Sequence, residues 1–268
     1  MDRRIATTRT KACARGLALA LALAASAQQA PAQPVPAPLT KACQPGNASI
    51  SEDNPLPNVA AALAQRKTLR ILAMGAAPGR ISRHGSGYTE VIEAMLQGAL
   101  KGVNVVLINR GISGELAGSA AVRMKIEVAL DDPDLVLWQV GTNDALAFVP
   151  VESFIATVKD QIDWLRAHKV DVVLVGLQFA PEMLRDAHYK ELREALRKLA
   201  AQEKVIIIRF FEAMQIINQA AGKEPVSEQF ERDEAGYNCL AQYVAHAITL
   251  GTFAKAGLPK REPTPPGK

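Results

Sequence analysis

Aromatic residues make up only 5% of this sequence, and it holds three cysteines and four histidines in 268 residues. No C-x-x-C pair is present, which removes the commonest redox and zinc-ribbon frameworks, and no histidines stand at metal-ligand spacing. Neither G-x-x-x-x-G-K-[ST] nor G-x-G-x-x-G occurs, so nothing cradles the phosphates of a nucleotide. The expectation is therefore a protein without metal or cofactor. No apolar run approaches the roughly 20 residues that span a bilayer.

The run that comes nearest, Leu17 to Ala25, follows Arg3, Arg4, Arg9, Lys11 and Arg15 and precedes Ala25-Ser26-Ala27. A basic n-region, a short apolar stretch and a small-x-small site together predict a signal peptide over residues 1–27 and a periplasmic or secreted product. That leader takes five basic residues and one acid, leaving 26 of each sign. A balanced mature chain gives no reason to expect nucleic acid or an anionic membrane surface as partner. Cys43 and Cys239 remain after Cys13 is removed, and an even count in an exported chain predicts a disulfide, two buried thiols being the alternative.

Residues 28–65 begin with QQAPAQPVPAPLT, a Pro/Ala/Gln stretch expected to act as linker and N-terminal extension; KREPTPPGK lies in a flexible tail over 253–268. Between them, over 66–252, apolar runs at 69–74, 103–108, 134–140, 170–176 and 204–208 alternate with helical patterns at 88–100, 116–130, 151–168, 185–203 and 234–250. Continuous apolar runs rather than in/out alternation belong to strands covered on both faces. The expected fold is α/β, one domain with a five-stranded parallel sheet and helices on both faces. Chemistry in such sheets gathers outside the carboxyl ends of the strands.

Three strand-end segments are rich there: Gly75-Ala76-Ala77-Pro78-Gly79, Asn109 to Glu115 (NRGISGE) and Gly141-Thr142-Asn143-Asp144. A side-chain amide from Asn143 and a backbone N–H from a glycine of the second segment are the minimum kit for an oxyanion hole. Each segment alone also reads as a plain turn, since Asn and Gly are turn residues.

Taken in order, G-x-x at 75–77, NRGISGE at 109–115, GTND at 141–144 and DEAGYNCLA at 233–241 resemble the SGNH (GDSL) hydrolases, esterases and acyl hydrolases with a three-layer flavodoxin-like sheet. The likeness covers residues 66–250 and is greatest to exported bacterial members with a cysteine in the last helix. It implies that Gly114 and Asn143 are oxyanion-hole donors, and that Gly75, Arg110 and Asp144 adjoin the substrate. The implied ligand is a small acyl ester or an acylated carbohydrate, with a protein partner as the other class left open.

The departures are as informative. The family's first block places a serine nucleophile third, where this chain has Ala77. Counting back from Tyr237, Glu231 stands at the family's histidine and Glu228 at its aspartate. Loss of a serine nucleophile costs about a millionfold in rate, and loss of its base then costs almost nothing more, because the residues act as a unit. The expectation is a pseudoenzyme that keeps the oxyanion crevice. The alternative is an active esterase whose nucleophile has moved to Ser82 or Ser86, near His84, or whose water is activated by Glu231. Arg80 and Arg83 join Arg110 as cations that could meet a ligand, whereas His168, His188 and His246 read as structural or solvent-facing.

Overall fold

The computed structural model describes residues 36–44, 50–51, 53–66, 68–75, 87–178, 183, 185–220 and 234–254. The predicted leader and tail fall outside these residues, apart from 253 and 254, as do Ala77, Ser82, His84, Ser86, Arg80, Arg83, Glu228 and Glu231.

Five strands form one parallel sheet: β1 (Thr68–Gly75), β2 (Asn104–Asn109), β3 (Leu135–Gln139), β4 (Asp171–Val175) and β5 (Ile206–Ile208). Their spatial order is β2-β1-β3-β4-β5, so the chain reverses direction across the sheet between β1 and β3. Ligands of doubly wound sheets bind at that reversal, outside the strands' carboxyl ends. β3 and β4 are buried throughout, which is why they appear as unbroken apolar runs rather than alternating ones.

Each expected helix is present: α2 (Tyr88–Ala99), α3 (Ala117–Asp131), α5 (Val151–Ala167), α6 (Ala187–Glu203) and α8 (Glu234–Phe253). α3, α5 and α6 cover one face of the sheet and α2 packs with α8 on the other. Three further helices were not foreseen: α1 (Pro57–Gln65), α4 (Thr142–Leu146) and α7 (Phe210–Ala220). α1 starts where the Asp171 carboxylate accepts the N–H groups of Asn58 and Val59, both at 2.9 Å. Its cap therefore comes from the first residue of β4, over a hundred positions away. β5 begins two residues later than its pattern suggested, because Lys204 ends α6 in the left-handed region at φ 52°.

The N-terminal extension departs from a free linker. Ala37 and Cys43 are buried in the core with Leu39 packed against it, and backbone hydrogen bonds add to this packing. Ala37 N–H donates to Thr249 Oγ1 at 3.0 Å and Thr40 N–H to Gln242 Oε1 at 2.7 Å. Tyr243 Oη donates to the Cys43 carbonyl at 2.5 Å. The disulfide joins Cys43 to Cys239 across 196 positions, fastening this strap to α8.

Candidate active-site crevice

The candidate site gathers at the ends of β1, β2 and β3. Gly75 closes β1 with φ +87°, and a Cβ placed on it would lie 1.8 Å from the Gln139 carbonyl oxygen. Only glycine allows β1 and β3 to meet this closely at that point. The segment after β2 is docked by its backbone: Arg110 N–H donates to the Ala73 carbonyl at 2.9 Å and Ile112 N–H to that of Gly75 at 3.0 Å.

Within that segment the amides are sorted. Gly111 N–H is engaged by Asn109 Oδ1 at 2.9 Å and Glu115 N–H by the Ile112 carbonyl at 3.3 Å. Gly114 has φ +81°, no atom within 4 Å of where a Cβ would stand, and an N–H without a partner among the described residues. Asn143, placed at the opening of α4 rather than in a loop, donates Nδ2–H to the Glu115 carbonyl at 3.0 Å. One amide hydrogen thus fixes the side chain against the loop that carries Gly114. Asn143 is thereby bonded to the residue that follows Gly114.

The loop is also clamped from below. Arg123 of α3 holds the buried Glu115 carboxylate with two bonds, Nε at 2.9 Å and Nη2 at 2.7 Å, and its Nη1 lies 3.8 Å from Met74 Sδ. Hydrogen bonding to Glu115 raises the Arg123 pKa further, against the opposing effect of burial.

Two residues expected beside the substrate have structural partners in the fold. Arg110 turns along α3, its Nε 3.1 Å from Glu127 and 3.3 Å from Asp131. Asp144 is buried and accepts the Ala117 N–H at 2.9 Å, which anchors the start of α3. Burial pushes the Asp144 carboxyl up from its ordinary range, with the Ala117 amide pulling the other way. Of the histidines, His168 Nδ1 lies 2.8 Å from the Trp164 carbonyl, His246 Nδ1 lies 2.6 Å from that of Ala37, and His188 stacks on Phe148.

One residue escaped the sequence reading. Gln139 is the only polar side chain in the LVLWQV run; it is buried, and neither its amide oxygen nor its nitrogen has a partner among the described residues. The Arg123–Met74 contact puts Met74 on the α3 face, so Gly75 and its register partner Gln139 belong to the α2/α8 face. The Tyr88 hydroxyl, at the start of α2, is likewise buried and without a partner among the described residues, and burial drives its pKa far above that of an ordinary tyrosine. The signal available was a lone amide in a strand otherwise buried on both faces.

The profile of the Non-GDSL lipase-like family matches residues 42–253. The chain belongs to this family. Its fold and its relatives place it among the SGNH/GDSL hydrolases. An arylesterase of Vibrio mimicus is 28% identical over 133 residues, 47% of this chain and 66% of the relative. Esterase TesA of Pseudomonas aeruginosa is 27% identical over 120 residues, 44% of this chain and 59% of the relative. The chain thus spans less than two thirds of the length of either relative.

Solved structures agree on the fold. The crystal structure of TesA superposes with a TM-score of 0.53 at 20% identity, covering 68% of this chain and 97% of that one. A lipase/acylhydrolase from Enterococcus faecalis gives 0.55 at 21% identity, covering 68% and 95%. A catalytic mutant of an acetylxylan esterase from Geobacillus stearothermophilus gives 0.55 at 15% identity, covering 67% and 94%.

Proposed function

We propose that this family member is an exported binding protein of esterase descent, holding an acyl ester or acylated glycan in the crevice without forming an acyl-enzyme. The observation that carries the reading is the pairing of Asn143, bonded to the Glu115 carbonyl, with Ala77 at the nucleophile position and Glu231 at the base position. Oxyanion donors stabilise a tetrahedral centre only where something attacks the carbonyl. A methyl group at Ala77 cannot attack. What remains for the crevice is to bind the ester carbonyl through Asn143 and the Gly114 N–H. The basic leader and the Cys43–Cys239 bridge support export.

The relatives, named arylesterase and esterase, favour a second reading in which turnover persists through Ser82, Ser86 or a water activated by Glu231. Intact-mass analysis after incubation with a fluorophosphonate, beside an active serine esterase as positive control, separates the two serine routes from the binding reading. No adduct and no hydrolysis of p-nitrophenyl acetate or butyrate is the expected result. An adduct mapped to Ser82 or Ser86 would overturn it, and so would ester turnover lost in Glu231→Gln.

A further inference from the structure

A second concavity opens at the same carboxyl edge of the sheet, between the ends of β4 and β5 and the flank of α6. It encloses about 50 Å³. Its floor is apolar, formed by Leu177, Leu196, Ile207 and Phe210, all buried. Its rim carries three arginines, Arg193, Arg197 and Arg209, against two glutamates, Glu194 and Glu212.

The rim charges are not equally matched. Glu194 takes Arg197 in a two-pronged pair, 2.9 Å from Nε and 2.8 Å from Nη2, with Lys198 3.8 Å away. Glu212 reaches Arg193 only at 3.5 Å, through Nε. The Arg193 guanidinium is held 3.8 Å from the centroid of the Phe211 ring, and its Nη1 is buried with no hydrogen-bond partner among the described residues. A buried guanidinium nitrogen without an acceptor is an unmet electrostatic demand, and a carboxylate satisfies it in the fork geometry that arginine favours.

Size and lining narrow the occupant. A water-sized group needs about 10–15 Å³ of such volume, so the cavity admits roughly four heavy atoms. A bare inorganic anion suits the rim and wastes the floor; a neutral alkyl group suits the floor and leaves Arg193 unanswered. We infer that this pocket binds a short-chain monocarboxylate of about two or three carbons, its carboxylate on Arg193 and its alkyl body against Leu177, Ile207 and Phe210. The site is separate from the oxyanion donors but adjoins them. A Cβ on Gly141 would stand 2.6 Å from Leu177 Cδ1, and Gln178 N–H donates to Thr142 Oγ1 at 2.9 Å, one residue before Asn143.

Titration of the ¹⁵N-labelled protein with propionate, at ionic strength held constant with chloride, tests this. Saturable shifts at the amides of Gly176, Leu177, Ile207 and Phe211 in the millimolar range are expected. Arg193→Met should weaken them at least tenfold, and Arg193→Lys, which keeps the charge but loses the fork, should weaken them by less. Propionamide and inorganic phosphate should each bind at least tenfold more weakly than propionate, and Asn143→Ala should leave propionate binding unchanged. Absence of saturation at those amides overturns the inference, as does undiminished binding to a folded Arg193→Met protein. Phosphate or propionamide binding as tightly as propionate removes the claimed chemistry. Shifts centred on Gly114 and Asn143 would place the acid in the crevice and sink the second site while leaving the crevice reading intact.

Discussion

The Asn143 side chain donates to the Glu115 carbonyl at 3.0 Å, joining the opening of α4 to the loop that follows β2. Two strand-end segments are therefore tied together through residues 28 positions apart, next to Gly114. Asn143→Ala should cost about 1 kcal/mol of stability, the net worth of one such bond. Any ester turnover the protein retains should fall by about 10²–10³, as expected for loss of one oxyanion donor. Urea denaturation read alongside p-nitrophenyl ester hydrolysis measures both. Unchanged turnover would mean that Asn143 is not an oxyanion donor.

Gly75→Ala tests the close approach of β1 and β3. A methyl group directed 1.8 Å from the Gln139 carbonyl oxygen cannot be relieved by a rotamer change, since the neighbour is backbone. The two central strands would have to separate, and φ +87° adds strain of its own. The expected loss exceeds about 4 kcal/mol, visible as insoluble protein or a collapse of the urea midpoint. Gly114→Ala meets nothing within 4 Å among the described residues and should cost only the left-handed backbone penalty, about 1 kcal/mol.

How far the sequence could be read depended on where each residue's partner lies. The strands were legible because β3 and β4 are covered on both faces and must be apolar throughout. Gly75, Gly114 and Asn143 were legible by residue type, as glycines and an amide at strand ends, although Asn143 reaches Glu115 28 positions away. The structural partners of Arg110 and Asp144 were not. The partners of Arg110, Glu127 and Asp131, come within reach only when α3 folds back against β1, and Asp144 caps that same helix from 27 positions away. α1 was hidden for the same reason, its cap being supplied by Asp171. The seating of the strap at 36–44 was hidden because its partners, Thr249 and Gln242 and the core around Ala37 and Cys43, lie about 200 positions away.

Asp144 gives the fold a pH signature. Burial raises its folded pKa above the unfolded value, so the folded state holds this proton more tightly. Its contribution is fully present below the unfolded pKa, near 3.9, and is lost as pH rises through the folded pKa. Asp144→Asn keeps an oxygen for the Ala117 N–H and removes the buried charge. Melting temperatures of the two proteins should diverge in favour of the variant as pH rises from about 4 to 7. A constant difference across that range would show that the carboxylate is not penalised by burial.

The Cys43–Cys239 bridge closes a loop of 196 positions, most of the domain. In the chain-entropy account its removal costs roughly 4–5 kcal/mol. The double variant Cys43→Ser/Cys239→Ser should melt roughly 10–15 °C lower, and the strap at 36–44 should lose amide protection before the sheet does. Equal protection of strap and sheet would mean that the backbone bonds to α8 hold the strap without the bridge.

Restoring chemistry is the strictest test of the descent. Because nucleophile and base act as a unit, Ala77→Ser alone should stay unreactive toward a fluorophosphonate, with a hydroxyl but nothing to take its proton. Glu231→His alone should be equally inert, for want of a nucleophile. Combined with Glu228→Asp, the two changes rebuild the family's pattern beside the donors proposed at Gly114 and Asn143. The triple variant should form an adduct at the serine introduced at position 77. It should also hydrolyse p-nitrophenyl acetate at least about a hundredfold faster than the parent, the low end of what positioned proton transfer supplies. An adduct in Ala77→Ser alone would reveal a base other than residue 231. An inert triple variant that folds normally and keeps the Asn143 bond would mean that the segments over 76–86 and 221–233 do not deliver residues 77 and 231 to a common point.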